Sequence, residues 1–552
     1  MSEQIKSLIA DGALFVVNHS GGKDSQAMPD EAQNPHAPMT AGEQEVLSSL
    51  ANPVDLDDFG PPGAIEEDDL DLRLASLPFN DYGNGQRFVA RFGQDAVYVE
   101  QIGWHVWDGT RYRFVGGDKD QPGASIVQLA DQVHLAIVNK EFPLFKERFG
   151  GRAEKAKLAG ELRRWGKTSG NVGKVRAMLT AAAAYRTNIM PDMDANDWVL
   201  NVKNGTLHLS KGGEPELKPH NRDDLITRRA EVRFDPGAKC PTWEKFLAQV
   251  LPDKATLRFI QSYLGYTLTG TTDEQFMVMF HGQGSNGKST MMETVRAVMG
   301  DYAMTIPIGV LLHNDAKRSD AATPVLAQLP GVRLVMAAET QQGDRLSEAN
   351  IKVFTGGEEI VARKLYRDTF SFSPKFKLAL SINNKPQVWG QDHGIWRRIK
   401  MVPFDVIIAE ADKDRQLKGK LEAEASGILN WLIDGLMNWL EEGLIPSRKI
   451  LETTEEYRRD SNPVGEFIRD FAVPDPGKFI RVSDFYKLYE TYCKVYGLEP
   501  RSLTSFGKTA PECGLKKGRK SVGFVYDGVR LDGEKERELY EILRKESEGT
   551  EL

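Results

Sequence analysis

Cysteine is scarce in this sequence, with only Cys240, Cys493 and Cys513 among 552 residues, all far apart. This spacing excludes a disulfide framework and a zinc site built from cysteine pairs, and it predicts a reducing compartment. Long apolar runs are also missing, since none approaches the roughly 20 residues of a membrane-spanning helix. The apolar run Ala13–Val17 is too short for a secretory signal. We therefore expect a cytoplasmic protein without a membrane partner.

Basic residues are scarce at the start of the chain, where acidic residues are abundant. Residues 1–80 contain 15 Asp and Glu but 3 Lys and Arg, so the other 472 residues carry +4 although the whole chain carries −8. Residues 29–75 are also rich in Pro, Ala and Gly, which predicts a disordered acidic linker. The mildly basic remainder can meet nucleic acid where its cations cluster.

Ahead of that linker, residues 1–28 contain the hexapeptide SGGKDS at Ser20–Ser25. It resembles the pyrophosphate loop of the ATP pyrophosphatase superfamily, in which backbone N–H groups hold the pyrophosphate of ATP. Such a loop requires a sheet of several strands, and the linker begins at Pro29 before a second strand can form. We interpret residues 1–28 as a remnant, and an ATP pyrophosphatase remains an alternative function.

Residues 76–270 predict an α+β and helical domain. Alternating apolar residues between 80 and 115, with a turn at Asp108-Gly109, predict a small antiparallel meander. Helical spacing follows from about 125 to 190, then a hairpin turning at Asn204-Gly205 and two helices before 270. Asp192 and Asp194 have the look of a paired-aspartate metal site, but a loop before the hairpin is the preferred interpretation.

A glycine-rich loop follows a buried strand at Phe276–Phe280 and precedes a helix with one apolar face. Gly282-x-x-x-x-Gly287-Lys288-Ser289 matches the Walker A pattern in this strand–loop–helix context. Its glycines turn backbone N–H groups onto phosphates, Lys288 reaches the β- and γ-phosphates, and Ser289 takes a Mg²⁺ position. The predicted ATP and Mg²⁺ site comprises Gly282, Gly284, Ser285, Asn286, Gly287, Lys288, Ser289 and Thr290.

Two further apolar strands end in polar side chains. The strand around Leu334 ends at Glu339, where a Walker B carboxylate holds Mg²⁺ or polarises the attacking water. The strand around Leu380 ends at Asn383-Asn384, and an amide there can hold the lytic water. We therefore predict Lys288, Glu339 and one asparagine as catalytic, with Ser289 and Glu339 as metal ligands.

Basic residues follow in two clusters. Alternation between these two strands predicts a β-hairpin whose tip carries Arg363, Lys364 and Arg367, with a solvated basic face as the alternative. Arg397 and Arg398 stand at the start of a fourth strand. One of them can reach a neighbouring subunit's γ-phosphate as an arginine finger, and ordinary surface ion pairs are the alternative.

These segments follow the order of superfamily 3 helicases. They most closely resemble the helicase half of the phage and plasmid primase–helicases, kin to the poxvirus primase–helicase. The resemblance covers about 190–445 and rests on NVKNGTLHL, CPTWEKFL, SYLGYTLTG, GQGSNGKST, RLVMAAET, IKVFTGGEEIVARKLY, KLALSINNKP and IWRRIKMVPF. It implies an AAA+-like P-loop ATPase domain at 271–445 and a hexameric ring. ATP would lie between the subunits and single-stranded DNA would pass through the centre.

The same resemblance assigns roles to individual residues. It implies Asn383 as the sensor, Arg397 as the finger and Arg398 as its fallback. It also implies that the hairpin, with Lys352, Arg363 and Lys364, contacts DNA.

The region after 445 resembles the winged-helix module that often closes this family. Residues 446–532 would form it, with LTSFGKTAPECG as the recognition helix, capped near Ser502 or Thr504. The wing would carry four cations toward phosphates, namely Lys516, Lys517, Arg519 and Lys520. A solvated basic turn is the alternative, and residues 533–552 are a predicted C-terminal helix or tail.

The sequence therefore predicts a multidomain α/β protein that acts as an ATP-driven DNA helicase in phage or plasmid replication, within a bacterial host. Expected partners are single-stranded and forked DNA, further copies in a homo-hexamer, and a separate primase or other replication proteins. Because no catalytic metal cluster is evident upstream of 190, we predict no primer synthesis. An ATP-gated DNA-binding assembly factor that does not unwind is the alternative from another class.

Overall fold

The structure is a computed structural model that describes residues 67–548, apart from 117–121, 151–152, 211–213, 314–322, 342, 365–367 and 391–392. The described residues form a multidomain α/β fold with mixed helices and sheets. The predicted remnant at 1–28 and the hairpin residue Arg367 lie outside the described residues. None of the described helices is long and apolar enough to cross a membrane.

The helical part comprises residues 67–188, and its strands form one sheet in the order β3-β2-β1-β4. Its helices are α1 Glu67–Ala75, α2 Asp81–Phe92, α3 Ala124–Ala136, α4 Phe142–Phe149, α5 Ala153–Ser169 and α6 Val172–Tyr185, with a π-helical turn at Ile137–Glu141. Its strands are β1 Ala96–Val99, β2 Gly103–Trp107, β3 Tyr112–Gly116 and β4 Thr187–Asn188. The antiparallel pairing of β1, β2 and β3 confirms the predicted meander.

Helix α1 lies inside the range predicted as a disordered linker, so that prediction is wrong for residues 67–75. Leu74 is fully buried, and Arg87 donates from Nη2 to the carbonyl oxygens of Leu74 at 2.9 Å and Leu77 at 3.2 Å. Glu141 accepts from Nε of Arg87 at 2.9 Å and from Nη2 of Arg91 at 2.8 Å. This buried network holds α1, α2 and the π-helical turn together despite the acidic composition of α1.

Helix α2 replaces what the sequence predicted as the start of the meander. Asn80 caps it by accepting from the backbone N–H of Gly83 at 2.8 Å. Phe88 is fully buried in the core of the helical part, together with Val133 and Leu162. Tertiary packing therefore outweighs the low helix propensity of the two glycines in this segment.

The central part comprises residues 193–460 and contains a five-stranded parallel sheet in the order β14-β8-β13-β10-β9. Its helices are α7 Pro241–Val250, α8 Lys254–Tyr266, α9 Lys288–Met299, α10 Glu348–Gly356, α11 His393–Trp396, α12 Leu417–Ala423, α13 Ala425–Glu442 and α14 Arg448–Asp460. Its strands are β5 Val199–Val202, β6 Gly205–His208, β7 Glu216–Lys218, β8 Met277–His281, β9 Ala303–Thr305, β10 Leu334–Ala338, β11 Ile360–Arg363, β12 Thr369–Phe372, β13 Lys377–Ile382 and β14 Ile399–Pro403. Strands β8, β10 and β13 are almost wholly buried, which explains their continuous apolar sequences.

The predicted hairpin and the two predicted helices before 270 are confirmed. Strands β5 and β6 pair around Lys203-Asn204, one residue earlier than predicted, and α7 and α8 follow. Both helices pack into the core of the central sheet, where Trp243 and Ile260 share one cluster with Val295 of α9. The predicted domain boundary at 270 therefore divides elements that share one core.

The C-terminal part comprises residues 463–548. Its helices are α15 Pro463–Phe471, α16 Val482–Val495, α17 Leu503–Glu512 and α18 Gly533–Glu548, and its strands are β15 Ala472–Arg481, β16 Lys516–Lys520 and β17 Gly523–Leu531. The strands form an antiparallel sheet in the order β15-β17-β16. The predicted start at 446 is too early, because Tyr457 of α14 is buried in the central core and Thr454 accepts from the backbone N–H of Met401 at 2.9 Å.

Helix α17 matches the predicted helix at LTSFGKTAPECG, and its cap is Ser502, which accepts from the backbone N–H of Ser505 at 3.3 Å. Arg501, one residue earlier, joins this helix to the central part. Its Nη1 donates to the carbonyl oxygen of Trp389 at 3.0 Å, and the guanidinium carbon of Arg345 lies 3.5 Å from the centroid of the Trp389 ring. A largely buried arginine thus connects α17 to a loop that follows β13.

Candidate functional site

The loop between β8 and α9 owes its shape to positive backbone angles and close packing. Gly287 has φ +83°, and a Cβ atom there would lie 2.7 Å from Cγ1 of Val250 on α7. Ser285 also has a positive φ, +60°, which is unusual for a residue other than glycine. The loop therefore turns sharply into the first turn of α9, where backbone N–H groups lack helical partners and can bind an anion.

Lys288 is the first residue of α9, and it is buried at 4% exposure. Its Nζ donates to the carbonyl oxygen of Gly282 and to Oδ1 of Asn383 at 3.1 Å. Burial lowers the pKa of this ammonium group to about 8. The ammonium group faces polar atoms of the loop and of the neighbouring strand end, where a phosphate could compete for it.

Glu339 and Asn383 follow adjacent parallel strands, so both reach the same edge of the sheet as Lys288. Glu339 is exposed, has φ +66°, and donates its backbone N–H to the carbonyl oxygen of Ser381 at 3.1 Å. Asn384 instead donates from Nδ2 to the carbonyl oxygen of Thr340 at 3.1 Å. The geometry therefore favours Asn383, rather than Asn384, as the asparagine beside the lysine.

These residues line one cleft of about 1290 Å³. Six of its loop and helix residues belong to the predicted phosphate site, namely Gly284, Ser285, Asn286, Gly287, Ser289 and Thr290. Glu339, Asn383 and Lys288 complete this wall, whereas Gly282 lies behind the cleft as the acceptor for Lys288. The cleft is large enough for a nucleoside triphosphate, whose phosphates would lie at this wall.

Two oxygen donors in the cleft suit a magnesium ion. Ser289 and Glu339 both line it, and both side chains are exposed. In the part of the chain that the structure describes, no group of three or more His, Cys, Asp or Glu could hold a metal. Mg²⁺ usually takes one or two protein ligands and completes its shell with water and substrate phosphates, so this donor set fits.

The cleft is also lined by residues that the sequence did not single out. Lys245 and Phe246 come from α7, and Arg415 comes from the segment that follows β14. Ile408 ties that segment to the phosphate loop by donating its backbone N–H to the carbonyl oxygen of Ser285 at 2.8 Å. No local sequence signal identifies these residues, because long-range packing brings them to the cleft.

Arg415 differs from the lysines around it. Lys413 lies 2.6 Å from Glu410, and Lys420 lies 2.6 Å from Asp414. Arg415 is exposed and has no ion-pair or hydrogen-bond partner for its side chain among the described residues. Its guanidinium group is therefore available to an anion in the cleft.

Arg397 and Arg398 lie away from the cleft. The backbone N–H of Met277, the first residue of β8, donates to the carbonyl oxygen of Arg398 at 2.8 Å. Both arginines thus stand at the amino edge of the sheet, one five-residue strand, or about 16 Å, from the phosphate loop. Arg398 donates to Thr355 at 3.1 Å and to Gly394 at 2.8 Å, whereas Arg397 is exposed and donates to Gln275 at 3.2 Å.

The predicted hairpin is formed by β11 and β12, and its exposed face carries Arg363 and Val361. Lys364 lies at its tip with Nζ 4.5 Å from the centroid of the Phe114 ring in the helical part. Lys352 does not belong to the hairpin, because it lies on α10, which ends before β11 begins. Its assignment to the hairpin was therefore wrong.

The four cations predicted on a C-terminal loop lie on strand β16 instead. Lys516, Lys517, Arg519 and Lys520 are all exposed, and the turn itself is Ser521-Val522. Lys517 and Arg519 lie 5.1 Å and 5.7 Å from the ring centroid of Phe524, whose side chain is 57% exposed. Alternation along the strand and cross-strand pairing keep this basic segment extended, which its composition did not indicate.

Asp192 and Asp194 serve the loop in which they lie. Asp194 accepts from the backbone N–H of Thr227 at 2.8 Å, and Asp192 accepts from that of Ile189 at 2.9 Å. This confirms the preferred interpretation of a structural loop.

Comparison with known proteins finds two matching families. Residues 85–252 match a family described as "D5 N terminal like", and residues 280–398 match a family of unknown function, DUF5906. The first match covers the helical part from residue 85 onward and the start of the central part, and the second covers the phosphate loop through Arg398.

Viral proteins are among the most similar relatives. The chain is 29% identical over 327 residues to a protein of Acanthamoeba polyphaga mimivirus named "Putative helicase", across 56% of this chain and 34% of the relative. It is 25% identical over 265 residues to a "Putative helicase" of Frog virus 3, across 45% and 27% of the two chains. It is also 25% identical over 213 residues to a "Putative primase" of African swine fever virus, across 38% and 22%.

The chain therefore spans about a third or less of the length of these curated relatives. Among solved structures, it is similar to the C-terminal region of NrS-1, with a TM-score of 0.43 and 10% identity, across 80% of this chain and 98% of that chain.

Proposed function

We propose, because the chain belongs to a primase–helicase-like family, that it is an ATP-dependent DNA helicase acting in DNA replication. The observation that carries the proposal is the buried Lys288 ammonium group, which points at Gly282 and Asn383 beside a cleft of triphosphate size. In this proposal the central part is an AAA+-like P-loop core of superfamily 3, and the C-terminal part is a winged-helix domain.

Lys288 would neutralise the β- and γ-phosphates of ATP, and the backbone N–H groups at the start of α9 would orient them. Asn383, now hydrogen-bonded to Lys288 at 3.1 Å, would turn its amide toward the attacking water. Glu339 would polarise that water and, with Ser289, hold Mg²⁺, which supplies charge neutralisation of the phosphates when bound. Because the carboxylate of Glu339 is exposed, it can bind Mg²⁺ and water without first breaking a buried ion pair.

A second subunit would complete the site. Arg397 stands about 16 Å from the phosphate loop of its own chain, too far to reach its own nucleotide, yet it is exposed at the sheet edge. In a head-to-tail ring it would meet the neighbour's γ-phosphate and stabilise the charge that develops during transfer. Arg398 is the weaker candidate, because Thr355 and Gly394 already occupy its guanidinium group.

DNA contacts would come from two places. Arg363 and Lys364 of the β11–β12 hairpin would bind single-stranded DNA in the centre of a homo-hexamer. The β16 cations would bind the duplex. We propose forked DNA as the substrate and a separate primase or other replication proteins as partners. We also propose that the protein does not synthesise primers and that it acts in the cytoplasm of a cell that hosts a phage or plasmid.

The test is strand displacement on a forked duplex with one 3′ single-stranded tail. The proposal expects opening only with ATP and Mg²⁺, together with ATP hydrolysis that single-stranded DNA stimulates. Hydrolysis that DNA does not affect, without opening, would favour the ATP-gated assembly factor. Cleavage of ATP to AMP that disappears in Lys23→Ala would favour the ATP pyrophosphatase.

Arg415 supplies a prediction for nucleotide binding. Because its guanidinium group lines the cleft without a partner among the described residues, we expect Arg415→Ala to raise KM for ATP about tenfold with little change in kcat. Steady-state ATP hydrolysis measures both constants. Arg258→Ala is the matched control, since Arg258 is exposed and paired with Glu442 at 2.8 Å. Equal KM values for Arg415→Ala and the wild type would contradict the assignment.

The lowered pKa of Lys288 predicts a pH dependence. The ammonium group is charged below about pH 8, and only the charged form attracts the triphosphate. As pH rises through 8, kcat/KM for ATP should therefore fall by about tenfold per pH unit. Measurement of kcat/KM for ATP from pH 7 to 9.5 tests this. The control is the nucleotide affinity of Lys288→Ala, measured over the same pH range. The same basic limb in Lys288→Ala would assign the titration to another group.

A further inference from the structure

Helix α5 carries an uncompensated basic surface that the proposed function has not used. Residues 124–186 contain 12 Lys and Arg but 5 Asp and Glu, although the 472 residues after residue 80 carry only +4 in total. Lys157, Arg164 and Lys167 are exposed on α5, and their side chains have no ion-pair or hydrogen-bond partner within the described ranges. We call these three residues, with Gly160, the α5 basic face.

The members of the α5 basic face lie side by side. At about 100° per residue, Lys157, Gly160, Arg164 and Lys167 fall within an arc of about 80° on one side of the helix. Ala159, Leu162 and Gly166 face the opposite side and are buried in the helical part. The arc therefore points to solvent along its length, which is about 15 Å from Lys157 to Lys167.

Acidic residues border this face, but none of them forms an ion pair with its three cations among the described residues. Glu161 and Glu154 lie beyond its edge on the helix, about 40° and 60° past Lys157. On the other edge, the guanidinium carbon of Arg163 lies 5.4 Å from the ring centroid of Phe142, and this side chain has no carboxylate partner among the described residues. The charge of the face is thus concentrated between two polar margins.

Gly160 is a second, independent observation. A glycine inside a helix is destabilising relative to alanine, so it needs a reason. Gly166 has one, because a Cβ atom there would lie 2.7 Å from Cγ2 of Ile137. At Gly160 a Cβ atom would meet nothing within 4 Å, so packing does not require the glycine. A bare backbone between three cations suits the close approach of a ligand.

We infer that the α5 basic face binds the phosphate backbone of DNA, as a contact separate from the hairpin and from β16. The inference rests on the proposed function. Each strand of duplex DNA presents a phosphate about every 3.4 Å along the duplex axis, so three cations spread over about 15 Å of helix can each meet a different phosphate. Lys157, Arg164 and Lys167 pair with these phosphates, and Gly160 lets the sugar–phosphate chain lie close to the helix.

The test combines Lys157→Gln, Arg164→Gln and Lys167→Gln in the full chain. Binding to a dT oligonucleotide and to a duplex of equal length is measured by anisotropy at several salt concentrations. The slope of log affinity against log salt should become shallower by about 2 for the single strand or nearly 3 for the duplex. Affinity at low salt should fall at least about tenfold on the preferred form. The DNA form, single-stranded or duplex, whose affinity and salt slope change in the triple variant is the form that contacts the face.

The matched control removes three charges that already have partners. Arg258, Arg448 and Lys535 are exposed and pair with Glu442 at 2.8 Å, Glu452 at 2.7 Å and Glu538 at 3.3 Å. Changing these three residues to Gln should leave both slopes unchanged. If both triple variants shift the slopes equally, or neither does, the inference is wrong. A changed oligomeric state with unchanged DNA binding also overturns it, since the face would then contact another subunit.

Gly160 gives a test that changes no charge. Gly160→Ala and Gly160→Gln should both raise the melting temperature, because both replace a poor helix former. Gly160→Gln should weaken DNA binding about threefold or more relative to Gly160→Ala, since its longer side chain covers the backbone. Equal binding by the two variants rules out the close approach. If the wild type binds no DNA at all, the proposed function fails; if it binds and the triple variant matches it, this inference alone fails.

Discussion

Lys288→Ala should lower ATP hydrolysis by about 10³-fold, the upper end of what removal of one preorganised electrostatic group costs. The Lys288 ammonium group is buried against Gly282 and Asn383, so its removal leaves these two acceptors and the phosphates without the cation between them. Opening of a forked duplex should be lost with it, because strand separation depends on hydrolysis. ATPase and strand-displacement assays on the same preparation measure both effects.

Two matched lysine variants define the specificity of this result. Lys535→Ala removes an exposed lysine near Glu538, and Lys23→Ala removes the lysine of the SGGKDS segment. Both should retain wild-type hydrolysis and strand opening. Thermal melting establishes that Lys288→Ala is folded. Substantial ATP hydrolysis by folded Lys288→Ala would overturn the proposed site.

Arg397→Ala should reduce ATP hydrolysis by about 10³–10⁵-fold, as loss of an arginine finger does, while ATP binding stays near the wild-type level. The separation follows from position, because Arg397 lies at the amino edge of the sheet and the cleft lies at the carboxyl edge. Fluorescent-nucleotide titration and steady-state hydrolysis distinguish binding from turnover. Arg398→Ala is the comparison, and its larger expected effect is on stability, since Arg398 bonds Thr355 and Gly394.

Mixing two inactive variants tests whether the finger acts between subunits. Equal amounts of Lys288→Ala and Arg397→Ala should regain activity, because about a quarter of randomly formed interfaces would combine an intact lysine with an intact arginine. Either variant alone should remain inactive. Failure of the mixture to recover, despite proven co-assembly, would place the arginine within its own subunit's site or outside catalysis.

The phosphate loop and its strands were predictable because their signals are local. A buried strand, a glycine turn and a helix follow one another within residues 276–299, and β8 and α9 have those bounds within one or two residues. Glu339 and Asn383 were identified because parallel strands place their ends at one edge. Which asparagine faces Lys288 needed the structure, in which Asn383 accepts from the Lys288 ammonium group at 3.1 Å and Asn384 donates to the carbonyl oxygen of Thr340 instead.

Other features depend on contacts that sequence patterns do not encode. Strand β15 contains Pro474 and Pro476, which argue against a strand, yet it lies at a sheet edge where proline is tolerated. Helix α1 forms because Arg87 binds its end, although its composition predicts disorder. Arg415 enters the cleft through the hydrogen bond of Ile408 to Ser285, far away in sequence.

The guanidinium group of Arg501 has a mechanical consequence. It holds the carbonyl oxygen of Trp389, six residues beyond Asn383, and it immediately precedes the capping residue of α17. If loss of the γ-phosphate displaces the chain after Asn383, the hydrogen bond from Arg501 to Trp389 would transmit that displacement to the start of α17. The C-terminal part would then act as a lever arm, and each ATP hydrolysed would change its orientation relative to the bound duplex.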